Sequence, residues 1–346
     1  MKLTKKVWGT TKAGETVYRY TLSNKNGMSV DICNLGCSIL SIIVPDKNGV
    51  STDVALAYNS SSDYERNPAS FGCVVGRYGN RIKGGRFSFG GKTWQLEQNE
   101  GNNHLHGASG AYARRFWPVS EESEERLTFR LESPDGDGGY PGDLTSCVSY
   151  SLSEDNGLSI SYHITTETEA FCNLTNHCYF NLSGHGAGNI LDHEVFIAAD
   201  AITEVDAESI PTGALLPISG TALDFNHPKP IGQDIESGHP QLVFGGGYDH
   251  NYVLKKTDGV NASAWSPKSG ILMEVFTNSP GLQFYTANGL EERNAGKDSA
   301  QYSKRGGLCM ETQFFPDSIN QPTFPSCVVT KDAPQDLCTT FRFSIR

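Results

Sequence analysis

No stretch of the sequence approaches the ~18–20 consecutive apolar residues that a membrane-spanning helix requires. Behind the basic start Met1-Lys2-Leu3-Thr4-Lys5-Lys6 no apolar run follows, so no secretory signal is expected. Basic charge is also in short supply, with 28 Lys and Arg against 39 Asp and Glu, a net charge of −11. Neutralising phosphate needs clustered Lys and Arg, so nucleic acid, an anionic membrane surface and polyphosphate substrates are all disfavoured. The nine cysteines contain no CxxC pair. Without a signal peptide they read as reduced thiols of a cytoplasmic protein. The P-loop pattern GxxxxGK[ST] and the nucleophile elbow GxSxG are both missing, and Gly107–Gly110 lacks the flanking strand and helix of a dinucleotide turn. No linker, composition shift or fixed-period repeat divides the chain, so residues 1–346 are expected to form one domain.

What is present is a strand pattern. Residues 157–166 alternate Leu158, Ile160, Tyr162 and Ile164 with polar neighbours, as a half-buried strand does. Comparable runs occupy 17–23, 28–35, 127–132, 144–152, 195–198, 271–277, 282–287 and 339–345. Gly, Pro, Asn and Asp clusters punctuate them. No sustained 3.6-residue stripe occurs; short helices are expected only at 61–64 and 289–293, and 255–270 reads as a surface loop. The expected fold is all-β: a large single-domain antiparallel β-sandwich with few short helices.

Chemistry-bearing side chains concentrate in a few segments. His104-Leu105-His106 has a common metal-ligand spacing, and both imidazoles share a face if the segment is extended. In the alternative, one caps a turn and the other sits in a polar layer. His177 lies in the apolar run Asn-His-Cys-Tyr-Phe, where a satisfied core histidine is the plain alternative to a catalytic one. Glu311 sits mid-strand with Cys309 and Gln313 on its face, a costly place for a carboxylate unless it is paired or functional. Arg81 is a candidate partner for it, and Asp249 could simply make an Asx turn.

Taken in order, the segments form a recognisable series. Asn34-Leu-Gly36, Val44-Pro-Asp46, Gly76-Arg77 with Asn80-Arg81-Ile82, Leu105-His106-Gly107 and Asp135-Gly-Asp-Gly-Gly-Tyr-Pro-Gly142 come first. Thr175-Asn-His-Cys-Tyr-Phe-Asn-Leu182, Ile210-Pro-Thr-Gly213, Asp224-Phe225, Tyr248-Asp-His-Asn251 and Glu311-Thr-Gln313 with Phe315-Pro-Asp317 follow. With this collinear set the chain resembles the aldose 1-epimerase (galactose mutarotase) family along almost its whole length. The resemblance implies a large β-sandwich with an open carbohydrate cleft and neither metal nor organic cofactor. It implies His177 as general acid and Glu311 as general base, with Asn80, Arg81, His106, Tyr179, Asp249 and Gln283 holding the sugar hydroxyls. A free monosaccharide is the implied substrate, and the protein is expected as a monomer or weak homodimer. Two departures, Tyr78-Gly79 and the run Ala108-Ser-Gly-Ala-Tyr-Ala-Arg-Arg115, are expected to reshape the cleft rim.

Ring opening of a cyclic hemiacetal needs a base at the C1 hydroxyl and an acid at the ring oxygen. An ordinary imidazole, with pKa ~6.5, is mostly neutral at pH 7, so a carboxylate (Asp249 or Glu311) is expected to favour the charged form of His177. Rival readings are a hexose-6-phosphate epimerase using Arg114 and Arg115, a non-catalytic sugar-binding module, and a retaining glycosidase using Asp249 and Glu311.

Overall fold

A computed structural model describes residues 2–291 and 296–346. Three antiparallel sheets carry most of the structure. The first is a meander of five strands, Lys2–Thr10, Thr16–Ser23, Ser29–Cys33, Ile39–Pro45 and Ser51–Asp53. A nine-stranded sheet runs from Val119–Glu122 at one edge to Lys229–Pro230 at the other. In its middle the strand Gln335–Ile345 fits between Gly157–Thr165 and Ile271–Thr277, so the last stretch of chain completes the sheet. The third sheet has five strands in the order Pro211–Pro217, Ala199–Val205, Asp249–Leu254, Gly281–Tyr285, Cys309–Gln313.

One apolar cluster joins all three sheets, with Val30 and Ile42 from the first, Val148, Ile160 and Phe341 from the second, and Ile202, Tyr252 and Phe284 from the third. Leu144–Leu152 shows how sequence produces this: every second residue is buried, so one face packs and the other meets water. The four apolar residues singled out in 157–166 are likewise buried. The antiparallel sandwich expected from the strand pattern is the observed fold.

Three local expectations fare differently. Ser61–Tyr64 is a helix, as read. Residues 289–291 are not helical, and the rest of the 289–293 candidate lies outside the described residues. A helix at Pro240–Gly245 was missed, although Pro240 at its start and left-handed Gly246 at its end are the usual punctuation. Within 255–270 the segment Ala262–Trp265 is a strand of the nine-stranded sheet, its inward side chains only Ala262 and Ala264. Two alanines carry too little hydrophobic contrast to mark a strand.

Candidate active site

The floor of the site is one face of the third sheet. Register places Asn251 opposite Gln283 and Gln283 opposite Glu311; one row along, Asp249 faces Tyr285 and Tyr285 faces Cys309. Residues two apart on a strand share a face, so these six side chains form a polar patch across three strands. Phe284 and Met310, from the same strands, point the other way into the core. Apolar anchoring of one face is what holds the polar face rigid.

The opposite wall comes from the short antiparallel pair Arg81–Ile82 and His104–Leu105. Asn80 and His106 flank it, both with positive φ, of 64° and 54°. The two lock each other: the Asn80 N–H donates to His106 Nδ1 at 3.0 Å, and the His106 N–H donates to the Asn80 carbonyl at 3.2 Å. Because Nδ1 accepts and burial drives the ring well below its ordinary pKa, His106 is neutral with its proton on Nε2. Gly107 follows at φ +82°, where a Cβ would lie 2.2 Å from the Gly76 carbonyl oxygen. The turn therefore needs glycine there.

His177 enters just after the strand Thr175–Asn176, its backbone tied by the His177 N–H to Cys73 O at 2.9 Å. Its ring stacks on Tyr179 at 4.9 Å and meets His106 edge-on at 5.5 Å. Nδ1 contacts the Cys309 sulfur at 3.5 Å, and Nε2 lies 3.7 Å from Glu311 Oε1.

Between wall and floor is a cleft of about 290 Å³. His177, Glu311, Asn80, Arg81, His106, Tyr179, Asp249 and Gln283 all line it. Its size lies near the ~300 Å³ lower end of small-molecule sites, as a single sugar ring requires. Sequence reasoning missed Glu100 and Tyr285, which also line it. Glu100 takes Arg81 in a two-point ion pair, Nε and Nη2 each donating at 2.6 Å. Arg81 also reaches to 4.0 Å of Asp249. It is thus the partner of Glu100 and Asp249, and the direct Arg81–Glu311 pair considered above is replaced. Nothing in the sequence around Glu100 distinguishes it from other loop carboxylates.

The Asp249 carboxylate accepts from Gln283 Nε2 at 2.6 Å, so it is more than a turn residue. Glu311 Oε2 and Gln283 Oε1 are buried without a hydrogen-bond partner among the described residues. Two buried oxygens without partners on cleft-lining residues suit a hydroxyl-bearing ligand.

The protonation of the central pair departs from expectation. Burial pushes His177 down to about 4, and no carboxylate offsets it. Burial, reinforced by the Asp249 charge, pushes Glu311 well above the carboxylate range, with Arg81 opposing. The expected charging of His177 by a neighbouring carboxylate is overturned, because desolvation exceeds attraction in this enclosed position. Both shifts favour the uncharged forms of the pair.

The His104-Leu105-His106 segment does not present two imidazoles to one ligand. The chain turns at His106, while the His104 nitrogens are taken by Glu97 O and Tyr140 OH, each at 2.6 Å. Among the described residues, the groups that could approach a metal together are His177, Cys309 and Glu311. The departing residues at 78–79 and 108–115 are not among those that line the cleft. Arg114 bonds the Ala108 carbonyl, and Arg115 holds Asp137 at two points, 2.5 and 2.7 Å.

Comparison with known proteins is decisive at this point. The profile of the aldose 1-epimerase family matches residues 18–335. The chain belongs to the aldose 1-epimerase family. It is 40% identical to the galactose mutarotase of Mus musculus over 349 aligned residues, covering all of this chain and 99% of the mouse protein. It is 34% identical to the aldose 1-epimerase of Escherichia coli over 335 residues, 95% of this chain and 96% of that one. Among solved structures, an aldose epimerase homologue from C. elegans superposes with a TM-score of 0.88 at 30% identity, covering 94% of this chain and 98% of its own. Galactose 1-epimerase from Lactobacillus acidophilus gives 0.86 at 25% identity, covering 99% of both. As a member of this family the protein is an isomerase that interconverts aldose anomers.

Proposed function

We propose that His177 and Glu311 exchange the anomers of an unphosphorylated aldohexose, galactose or glucose, while Asn80, Arg81, His106, Tyr179, Asp249 and Gln283 hold its hydroxyls. The observation that carries this reading is the convergence of one imidazole and one carboxyl, 3.7 Å apart, in a polar cleft of about 290 Å³. Imidazolium at His177 donates to the ring oxygen as Glu311 takes the C1 hydroxyl proton. The ring opens to the aldehyde, C1–C2 rotates, and the reverse transfers close the other face. Opening leaves His177 neutral and Glu311 protonated. Burial favours those uncharged forms, so the charged pair that begins the step is the less favoured tautomer and opening relieves it. Acid and base catalysis of this kind contribute roughly 10²–10⁴-fold each, ample for a reaction that water already permits.

A sugar phosphate fits this cleft poorly. Among the described residues the cation lining it is Arg81, which is spent on Glu100 and Asp249, while Arg114 and Arg115 are engaged elsewhere. Steady-state kinetics with glucose and glucose 6-phosphate test the reading: the free sugar is the better substrate, and preference for the phosphate overturns it.

The protein is further read as one domain, since the proposed site residues span 80–311 and one core cluster joins all three sheets. Nine free cysteines, seven of them buried, suit a reducing cytoplasm. Among the described residues, the exposed large apolar side chains come from five separate chain segments, consistent with a monomer or weak homodimer without nucleic-acid or membrane partners.

A further inference from the structure

We propose that His177, Cys309 and Glu311 also form a binding site for a soft divalent cation, Zn²⁺, whose occupancy closes the cleft to sugar. Cys309 and Glu311 are two residues apart on the strand Cys309–Gln313, so both project from the same face of a rigid element. His177 reaches them from the segment packed across that face. One donor atom from each lies within 4.8 Å of the others. Tetrahedral zinc, at ~2.3 Å from sulfur and ~2.0–2.2 Å from nitrogen or oxygen, requires donors about 3.3–3.6 Å apart. The Cys309 sulfur and His177 Nδ1 already stand 3.5 Å apart. Only the Glu311 carboxyl must close further, and its Oε2 has no partner among the described residues to hold it back.

Thiolate, imidazole and carboxylate together select zinc over magnesium or calcium, which prefer all-oxygen shells. Charge balances as well. Zn²⁺ displaces the thiol proton of Cys309 into solution, and the thiolate together with the Glu311 carboxylate neutralises the dication. A buried position can accept it without a net charge. His177 and Glu311 line the cleft and give the ion its way in. The blocking of catalysis rests on the acid–base roles proposed above; the binding itself does not.

Equilibrium dialysis of the full chain against micromolar Zn²⁺ tests this, with no sugar turnover in the readout. The expected result is one zinc per chain, with an affinity at least ~10-fold lower in both Cys309→Ser and Glu311→Gln. Excess Mg²⁺ does not compete, whereas D-galactose does. No retained zinc, or uptake indifferent to both substitutions, overturns the site. If zinc binding depends on Cys309 and Glu311 but the protein leaves sugar anomers untouched, the metal site stands and the catalytic roles fall. If anomers interconvert and zinc is not held, only the metal site falls.

Discussion

Nε2 of His177 lies 3.7 Å from Oε1 of Glu311, and burial drives both groups toward their uncharged forms. Ring opening moves a proton from one to the other through the sugar. Their titrations belong to the pair, because each group's charge alters the other's.

The pH profile of kcat/KM follows from the directions. His177 gains a second proton for the pair only as pH falls to about 4, so activity declines there. Glu311, held well above its ordinary value, surrenders its proton at higher pH, and activity declines again on that alkaline limb. Rates measured from about pH 3 to about pH 10 should form a bell. An acid limb near ~6.5, the ordinary imidazole value, would show instead that His177 is not desolvated.

Asp249 tunes that alkaline limb. Its negative charge is one cause of the raised Glu311 pKa, second to burial. In Asp249→Asn the ionised form of Glu311 is less opposed, so its pKa drops and the alkaline limb moves to lower pH. A limb that stays in place or moves up would show that the two carboxyls do not communicate.

Arg81 is expected to act on binding more than on chemistry, since it lines the cleft and is fixed by two bonds to Glu100. A lysine cannot reproduce that fork. Arg81→Lys should raise KM by about tenfold with a smaller change in kcat, the signature of lost ground-state contacts. Equal loss in kcat with KM unchanged would assign Arg81 to the transition state.

The wall that presents His106 depends on Gly107. Its positive φ of +82° is matched by Gly136 at +83°, but a Cβ at Gly136 meets nothing within 4 Å, whereas at Gly107 it strikes the Gly76 carbonyl. Gly136→Ala should cost ~1–2 kcal/mol for the backbone conformation alone. Gly107→Ala should cost distinctly more by urea denaturation. Equal losses would mean that the turn moves aside freely.

Much of this was legible in the chain, for identifiable reasons. The alternation in 144–152 and 157–166 reports burial on one face, and the structure buries those residues. The eight polar residues named from the family resemblance line one cleft although they span positions 80 to 311. What escaped was governed by partners remote in sequence. Glu100 owes its place to Arg81, nineteen residues away. Ala262–Trp265 is a strand because its neighbours on either side are strands. The charge on His177 was misjudged because alternation cannot reveal that a side chain left 6% exposed loses more solvation than a carboxylate 3.7 Å away restores.

The central claim is that this pair carries the proton transfers of anomer exchange. Polarimetry on freshly dissolved α-D-galactose and α-D-glucose tests it, using the wild-type protein, Glu311→Gln and His177→Asn. The wild type should speed mutarotation of at least one sugar, and each substitution should remove about 10²–10⁴-fold of that acceleration while the far-ultraviolet circular dichroism stays unchanged. A folded Glu311→Gln or His177→Asn protein with undiminished activity would contradict the account.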